Sequence, residues 1–353
     1  MSVYSPFKLF HFPDKIDSLP KDRPMMPPIH IRWKPTNRCN HRCRYCAYRE
    51  EGLQLGQNMR EQDSIPREKM LEIAKDLVDM GVKAVTFSGG GEPLLYPHLL
   101  EACRILVNGG IKIASLTNGS LLTGELAEFI AHHFVWIRVS MDGWDDASYA
   151  AYRGIKDNEY SKIIKNIEKF ASKGGNCVLG ASLIVDADNA PHLRTMLQRL
   201  KGAGVSSVKV SACIVSNEGT LNNRYHLPHF SFVRDVIDAA KSDFADGSFE
   251  IIDAWHTLDE RFHKTYTWCP FSQMLAVIGA DLGVYSCQDK AYTTAALLGS
   301  LQSQTFKNFW VQNKDAFFHI QPCRDCEHHC VANLKNTILI EFLSTDKDHL
   351  DFI

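Results

Sequence analysis

Long apolar runs are missing from this 353-residue chain. None approaches the roughly 20 residues that a membrane-spanning helix needs. Charge of one sign is missing as well. The formal net charge is −2 at pH 7, which leaves no electrostatic case for a nucleic acid or an anionic membrane as partner. Residues 1–28 hold six prolines and scattered charges but no apolar h-region, so they do not read as a secretory signal. No repeat of solenoid period and no low-complexity tract is visible. Together these absences predict a cytoplasmic protein. Apolar content of 45% and charged content of 23% are ordinary for a globular chain. The length suits one large domain and a smaller one.

What the chain does have is eleven cysteines. In a cytoplasmic protein that number argues for metal or redox chemistry over disulfides. Eight of them fall in two groups, Cys39, Cys43, Cys46 and Cys269, Cys287, Cys323, Cys326, Cys330. The first group lies on a short basic loop after an apolar run, with Arg38, His41, Arg42, Arg44 and Arg49 around it. Those cations would offset an anionic thiolate cluster. Three thiolates on one loop can hold three irons of a cubic 4Fe–4S cluster and leave the fourth open to a small molecule. The alternative is structural zinc, with His41 as a fourth ligand. Cys103, Cys177 and Cys213 lie in or beside expected helices and strands and read as small core residues.

A strand-then-helix rhythm repeats six times. Strands are expected over residues 29–36, 84–88, 112–117, 136–141, 178–185 and 207–215. Helices are expected from Ser64 and Pro66 to Gly81, then over 98–107, 125–133, 163–172 and about 191–201. Such alternation implies parallel βαβ units. The pattern fits an open doubly wound sheet or a partial barrel and does not separate them. After about residue 216 the rhythm changes. A helix is expected over 230–245, then a β-hairpin from 274–278 and 284–287 around Gly279-Ala280-Asp281-Leu282-Gly283. The expected organisation is an extended arm over 1–28, a core domain over 29–225 and a small α+β domain over 226–353.

Three further segments sit at the carboxyl ends of expected parallel strands, where ligands bind in α/β sheets. Ser88-Gly89-Gly90-Gly91-Glu92-Pro93 follows the second strand, Thr117-Asn118-Gly119 the third, and Ser140-Met141-Asp142-Gly143 the fourth, with Tyr152-Arg153-Gly154 shortly after. Taken singly, each also reads as an ordinary turn, or for Arg153 as a solvated side chain.

The run Cys39-Asn40-His41-Arg42-Cys43-Arg44-Tyr45-Cys46 matches the Cys-x3-Cys-x2-Cys signature of the radical S-adenosylmethionine enzymes, including an aromatic residue before the last cysteine. The resemblance covers roughly residues 29–215. It implies a partial (βα)6 barrel and a 4Fe–4S cluster on Cys39, Cys43 and Cys46. It also implies S-adenosylmethionine bound through Gly90, Gly91 and Glu92 (amino group), Ser140 (ribose) and Arg153 (carboxylate). Tyr45, Asn118 and Asp142 complete the expected cofactor contacts. The C-terminal cysteines resemble the auxiliary-cluster extension called SPASM or its shorter form, Twitch. Five cysteines stand where the full pattern has seven. That implies one auxiliary 4Fe–4S cluster on Cys269, Cys287 and two of Cys323, Cys326 and Cys330. Zinc, with His328 or His329, is the alternative.

The implied activity is reductive cleavage of S-adenosylmethionine to a 5′-deoxyadenosyl radical that abstracts hydrogen from a substrate. An electron donor such as flavodoxin or ferredoxin is implied with it. The expected outcome is oxidation or rearrangement of a small molecule such as a sugar or aminocyclitol. The alternative is modification of a ribosomal peptide or protein side chain. Only about 28 residues precede the first strand, too few for the peptide-binding domain many such modifiers carry, and this favours the small molecule. A non-catalytic electron carrier is disfavoured, because it needs no ligand-type segments.

Overall fold

The computed structural model describes residues 5–53, 55–156, 158–244, 246–257, 261–346, 348 and 351. Ten strands form one sheet: β1 His30–Trp33, β2 Ala84–Phe87, β3 Lys112–Thr117, β4 Phe134–Ser140, β5 Val178–Val185, β6 Ser207–Ala212, β7 Glu250–Asp253, β8 Leu275–Ile278, β9 Gly283–Tyr285 and β10 Leu297–Ser300. Their spatial order is β10-β9-β8-β1-β2-β3-β4-β5-β6-β7. Strands β1 to β7 pair in parallel, each with the next in sequence, and β8 joins the free side of β1, also in parallel. The expected hairpin is present as β8 and β9. The six expected parallel strands are all found, and the sheet continues unbroken past residue 225 through β7 and β8.

Alternation along the strands sets the two faces of the sheet. Ile31, Trp33, Val85, Phe87, Ile137, Val139, Leu183, Val208 and Val210 are buried in one continuous core. Helices Arg67–Asp79, Leu99–Asn108, Gly124–His133, Glu159–Ala171 and Leu193–Gly202 cover that face with residues at helical spacing, such as Met70, Ile73, Ala74 and Leu77. The intervening residues, including Arg32, Thr86, Arg138, Ser140, Ser182 and Lys209, have their side chains on the opposite face, because successive strand residues point to opposite sides. That face is the interior of a partly closed barrel.

Several elements differ from expectation. Residues 6–17 are not extended: Pro6–His11 is a 3₁₀ turn and Pro13–Asp17 a short helix. Proline at the first helical position starts each, and Ser5 caps the first by accepting from the Phe7 N–H at 3.2 Å. Leu9, Ile16 and Leu19 are buried with Met274 and with Leu339 of the helix Asn333–Ser344. Helices Asp146–Arg153 and Gly219–His226, and strands β7 and β10, were not anticipated. The helix expected over 230–245 spans Phe230–Asp243, and Ala245 lies outside the described residues, as do residues 1–4 of the arm. Among the described residues no helix is long and apolar enough to cross a membrane.

Candidate active site

The loop bearing Cys39, Cys43 and Cys46 follows β1 and is clasped from two sides. On one side stands the glycine run. Gly91 N–H donates to Thr36 O at 3.1 Å and Glu92 N–H to Arg38 O at 2.9 Å. A Cβ on Gly90 would collide with Asn37 Oδ1, and one on Gly91 with the Arg38 carbonyl. These glycines therefore permit backbone-to-backbone approach. The space beside them is filled by the chain's own cysteine loop. On the other side stands helix Asp146–Arg153. Its last carbonyls, Tyr152 O and Arg153 O, accept from Arg44 N–H at 3.0 Å and Arg42 N–H at 2.7 Å. Gly154 ends it with φ 58° and presses on Arg42. A capping box between Asp145 and Ser148 starts it. That box, a Gly-terminated eight-residue segment, is the sequence signal by which this helix could have been found.

The thiols sit among cations. Arg153 Nη1 donates to Cys43 Sγ at 3.4 Å, and His41 N–H to Cys39 Sγ at 3.5 Å. Burial pushes the Cys39 thiol up to about 11, where its own hydrogen bond and Arg49 pull it down and Cys43 pushes it up. Burial also raises Cys46, again with Cys43 adding and Arg49 opposing. Cys43 is thus a near neighbour of both other thiols, and protein cations stand ready to offset their negative charge once ionised. His41 is 2% exposed and neither ring nitrogen has a hydrogen-bond partner; its ring lies edge-on to Tyr149. Among the described residues no three His, Cys, Asp or Glu side chains are drawn together tightly enough to hold a single metal ion. The donor set fits a group large enough to span separate thiolates, with cations on its flank.

Around this loop the expected cofactor residues come together. Glu92 is buried at the end of β2. Its Oε1 accepts from Thr117 Oγ1 at 2.6 Å and Leu94 N–H at 3.1 Å, and its Oε2 from Asn118 N–H at 2.7 Å. A carboxylate has about four acceptor positions, so three are filled and one is left for a further donor. Burial raises the Glu92 pKa, and these donors pull against it. Asn118 is locked to Asn40 and Ser120. Ser140 ends β4 and its carbonyl accepts from Tyr149 OH at 3.3 Å.

Arg153 and Asp142 form a buried ion pair, and Tyr45 donates its hydroxyl proton to the same carboxylate. Asp142 Oδ1 also accepts from the Ile184 N–H at 2.5 Å. Two residues without a motif also brace the cysteine loop. Asp186 accepts from Tyr152 OH at 2.6 Å and from Arg44 at 2.8 Å. Asn37 Oδ1 accepts from Tyr292 OH at 2.6 Å and so ties the loop to the C-terminal region.

The second cysteine group also converges, in part. Burial drives the Cys287 thiol well up, with Asp289, Cys330, Cys269 and Cys326 adding to the effect. Burial likewise raises Cys269 to about 11, with Cys326 adding and the Asn336 amide opposing. Burial and Cys269 also raise Cys330. Cys323 is exposed and does not figure among these neighbours. Lys264 and Lys290 stand beside the group, bonded to the carbonyls of His328 and Asp325. Cys287 thus has Cys269, Cys326 and Cys330 as neighbours, and with two flanking ammonium groups this set fits an anionic cluster.

Residues 33–186 match the family model described as the radical SAM superfamily. That part of the chain is similar to the radical SAM superfamily. The chain is 24% identical over 200 residues to a GTP 3′,8-cyclase of Haemophilus influenzae, covering 56% of this chain and 57% of that one. It is 31% identical over 114 residues to an S-adenosylmethionine-dependent nucleotide dehydratase of Lacinutrix mariniflava, covering 32% and 23%. The chain therefore spans little more than half, or less, of the length of these relatives. Among solved structures, SuiB of Streptococcus suis bound to the precursor peptide SuiA superposes with a TM-score of 0.64 at 15% identity, covering 94% of this chain and 79% of that one. The parallel sheet of this chain thus has the radical SAM fold. Proteins of this family bind a 4Fe–4S cluster and S-adenosylmethionine.

Proposed function

We propose that the chain is a radical enzyme acting on a small molecule, with two iron–sulfur clusters. The carrying observation is the convergence of Cys39, Cys43 and Cys46 beside Glu92 and Arg153 at the carboxyl ends of β1, β2 and β4. When bound, the cluster and S-adenosylmethionine supply a 5′-deoxyadenosyl radical that takes a hydrogen atom from the substrate. The protein supplies position and exclusion of water. Glu92 has one acceptor position left for the methionyl ammonium. Arg153 holds the cysteine loop through Cys43 and offers charge to the methionyl carboxylate. Asp142 fixes both Arg153 and Tyr45. Gly90 and Gly91 keep the ligand loop against the cysteine loop, and Asn118 and Ser140 line the same mouth. An external one-electron donor of the flavodoxin or ferredoxin class completes the reaction.

The auxiliary cluster is proposed on Cys269, Cys287, Cys326 and Cys330, with Cys323 spare. Residues 29–225 then form the catalytic core and 226–353 the auxiliary part. Two relatives named for nucleotide substrates support a small molecule over a peptide, which is the second reading because SuiB was solved with one. Anaerobic reconstitution should give about eight irons per chain, two cubic clusters of four. Cys323→Ser should keep that number, and Cys326→Ser or Cys330→Ser should lower it. Reduced protein with S-adenosylmethionine should release 5′-deoxyadenosine. Release that persists in Cys43→Ala would refute the assignment of the first cluster.

A further inference from the structure

Asn336 is polar, carries no charge and is fully buried. It sits in the first turn of the helix Asn333–Ser344. A buried amide costs free energy unless its oxygen and both its protons find partners. All three are answered here. Oδ1 accepts from the Phe271 N–H at 2.9 Å, and Nδ2 donates to Tyr266 OH at 3.3 Å and to Cys269 Sγ at 3.2 Å. The Tyr266 hydroxyl donates its own proton to Asn333 Oδ1 at 2.9 Å, so it is an acceptor toward Asn336.

These partners fix the orientation of the amide. A backbone N–H can only donate, so the Asn336 oxygen must face Phe271. The NH2 group then faces the sulfur. As a thiol, Cys269 also reaches Oδ1, at 3.5 Å. A metal-bound thiolate has no proton to give, and the N–H···S bond from Asn336 is the contact that persists.

Packing holds donor and sulfur in place separately. Leu339, one helical turn beyond Asn336, shares its face and is fully buried among Leu9, Ile16, Leu19 and Met274. Cys269 starts the turn into the short helix Phe271–Met274. Its carbonyl accepts from the Ser272 N–H at 3.2 Å and from Ser272 Oγ at 2.6 Å. The two groups come from segments 67 residues apart and meet already oriented.

A hydrogen bond to a cluster sulfur favours the form with more negative charge. One-electron reduction adds that charge, so the donor stabilises the reduced cluster more than the oxidised one and raises its potential. We propose that Asn336 is a positioning residue for the auxiliary cluster, setting its reduction potential through the bond to Cys269. This rests on the assignment of Cys269 as a cluster ligand. A cluster poised in this way takes up an electron more readily.

The test is a redox titration of the anaerobically reconstituted full chain, followed by electron paramagnetic resonance. The auxiliary signal is the one that S-adenosylmethionine leaves unchanged. Asn336→Leu keeps the volume and removes the donor. Its auxiliary cluster should be about tenfold harder to reduce, a fall of about 59 mV for one electron, while the first cluster keeps its potential. An unchanged auxiliary potential at full iron content would overturn the proposal. If Asn336→Leu loses iron, wild-type protein carrying isotopic nitrogen in its asparagine side chains decides. A nitrogen coupling at the reduced auxiliary cluster supports the bond, and its absence overturns it. Wild-type protein holding about four irons instead of about eight would overturn the cluster assignment on which the proposal stands.

Discussion

Gly91 marks where the two halves of the active-site mouth touch. Its Cβ space is filled by the Arg38 carbonyl, a backbone group that cannot swing aside. Gly91→Ala is expected to cost about 1–3 kcal/mol through overpacking and to lower iron retention at the first cluster, read by thermal melting and iron analysis. The glycine run was visible in the sequence as a close-approach segment. What it approaches was not, because no pattern in a single chain pairs Gly90 with Asn37.

His30 gives a prediction of a different kind. Its Nε2 pairs with Thr86 Oγ1 at 2.8 Å. Burial, then Arg32 and Lys335, lowers its pKa to about 3 from the usual 6.5. Between those values the unfolded chain holds a proton on His30 that the folded chain does not. Stability from neutral His30 is therefore complete above pH 6.5 and lost as pH falls toward 3. His30→Gln should flatten the wild-type fall in melting temperature across that window; identical slopes would count against it.

At the scale of elements, the chain's two ends meet. Leu339 is fully buried among Leu9, Ile16, Leu19 and Met274. Leu339→Ala should cost about 2–5 kcal/mol and speed hydrogen exchange in residues 6–17 more than in β1 to β6. Elements with strong periodicity were legible: the helix Arg67–Asp79 and strands β2, β3 and β5 lie close to their expected bounds. Short or unpatterned ones were not. Asp146–Arg153 is eight residues with a mixed face, and its worth comes from docking the cysteine loop, a tertiary fact. The N-terminal turns were masked by their prolines, which start helices as readily as they extend a chain.

At the scale of the molecule, sequence order and spatial order coincide from β1 to β7, and β8 then returns to β1. The rhythm of the sequence predicted the parallel core. It did not predict that residues 275–278 complete the other side of β1, because pairing across such a distance leaves no local trace. A chain ending at residue 257 would leave the β1 edge unpaired, a template for association. It should run as aggregate in size-exclusion chromatography, where the full chain does not.

The return of β8 to β1 also has a clock in it. Ile31 faces Ala276, 245 positions later. At about 5–20 residues per second of synthesis, the first strand waits roughly 12–50 s on the ribosome before its second neighbour exists. For that interval the strand that leads into the catalytic cysteines has one side open, and the cell's chaperones have that long to meet it.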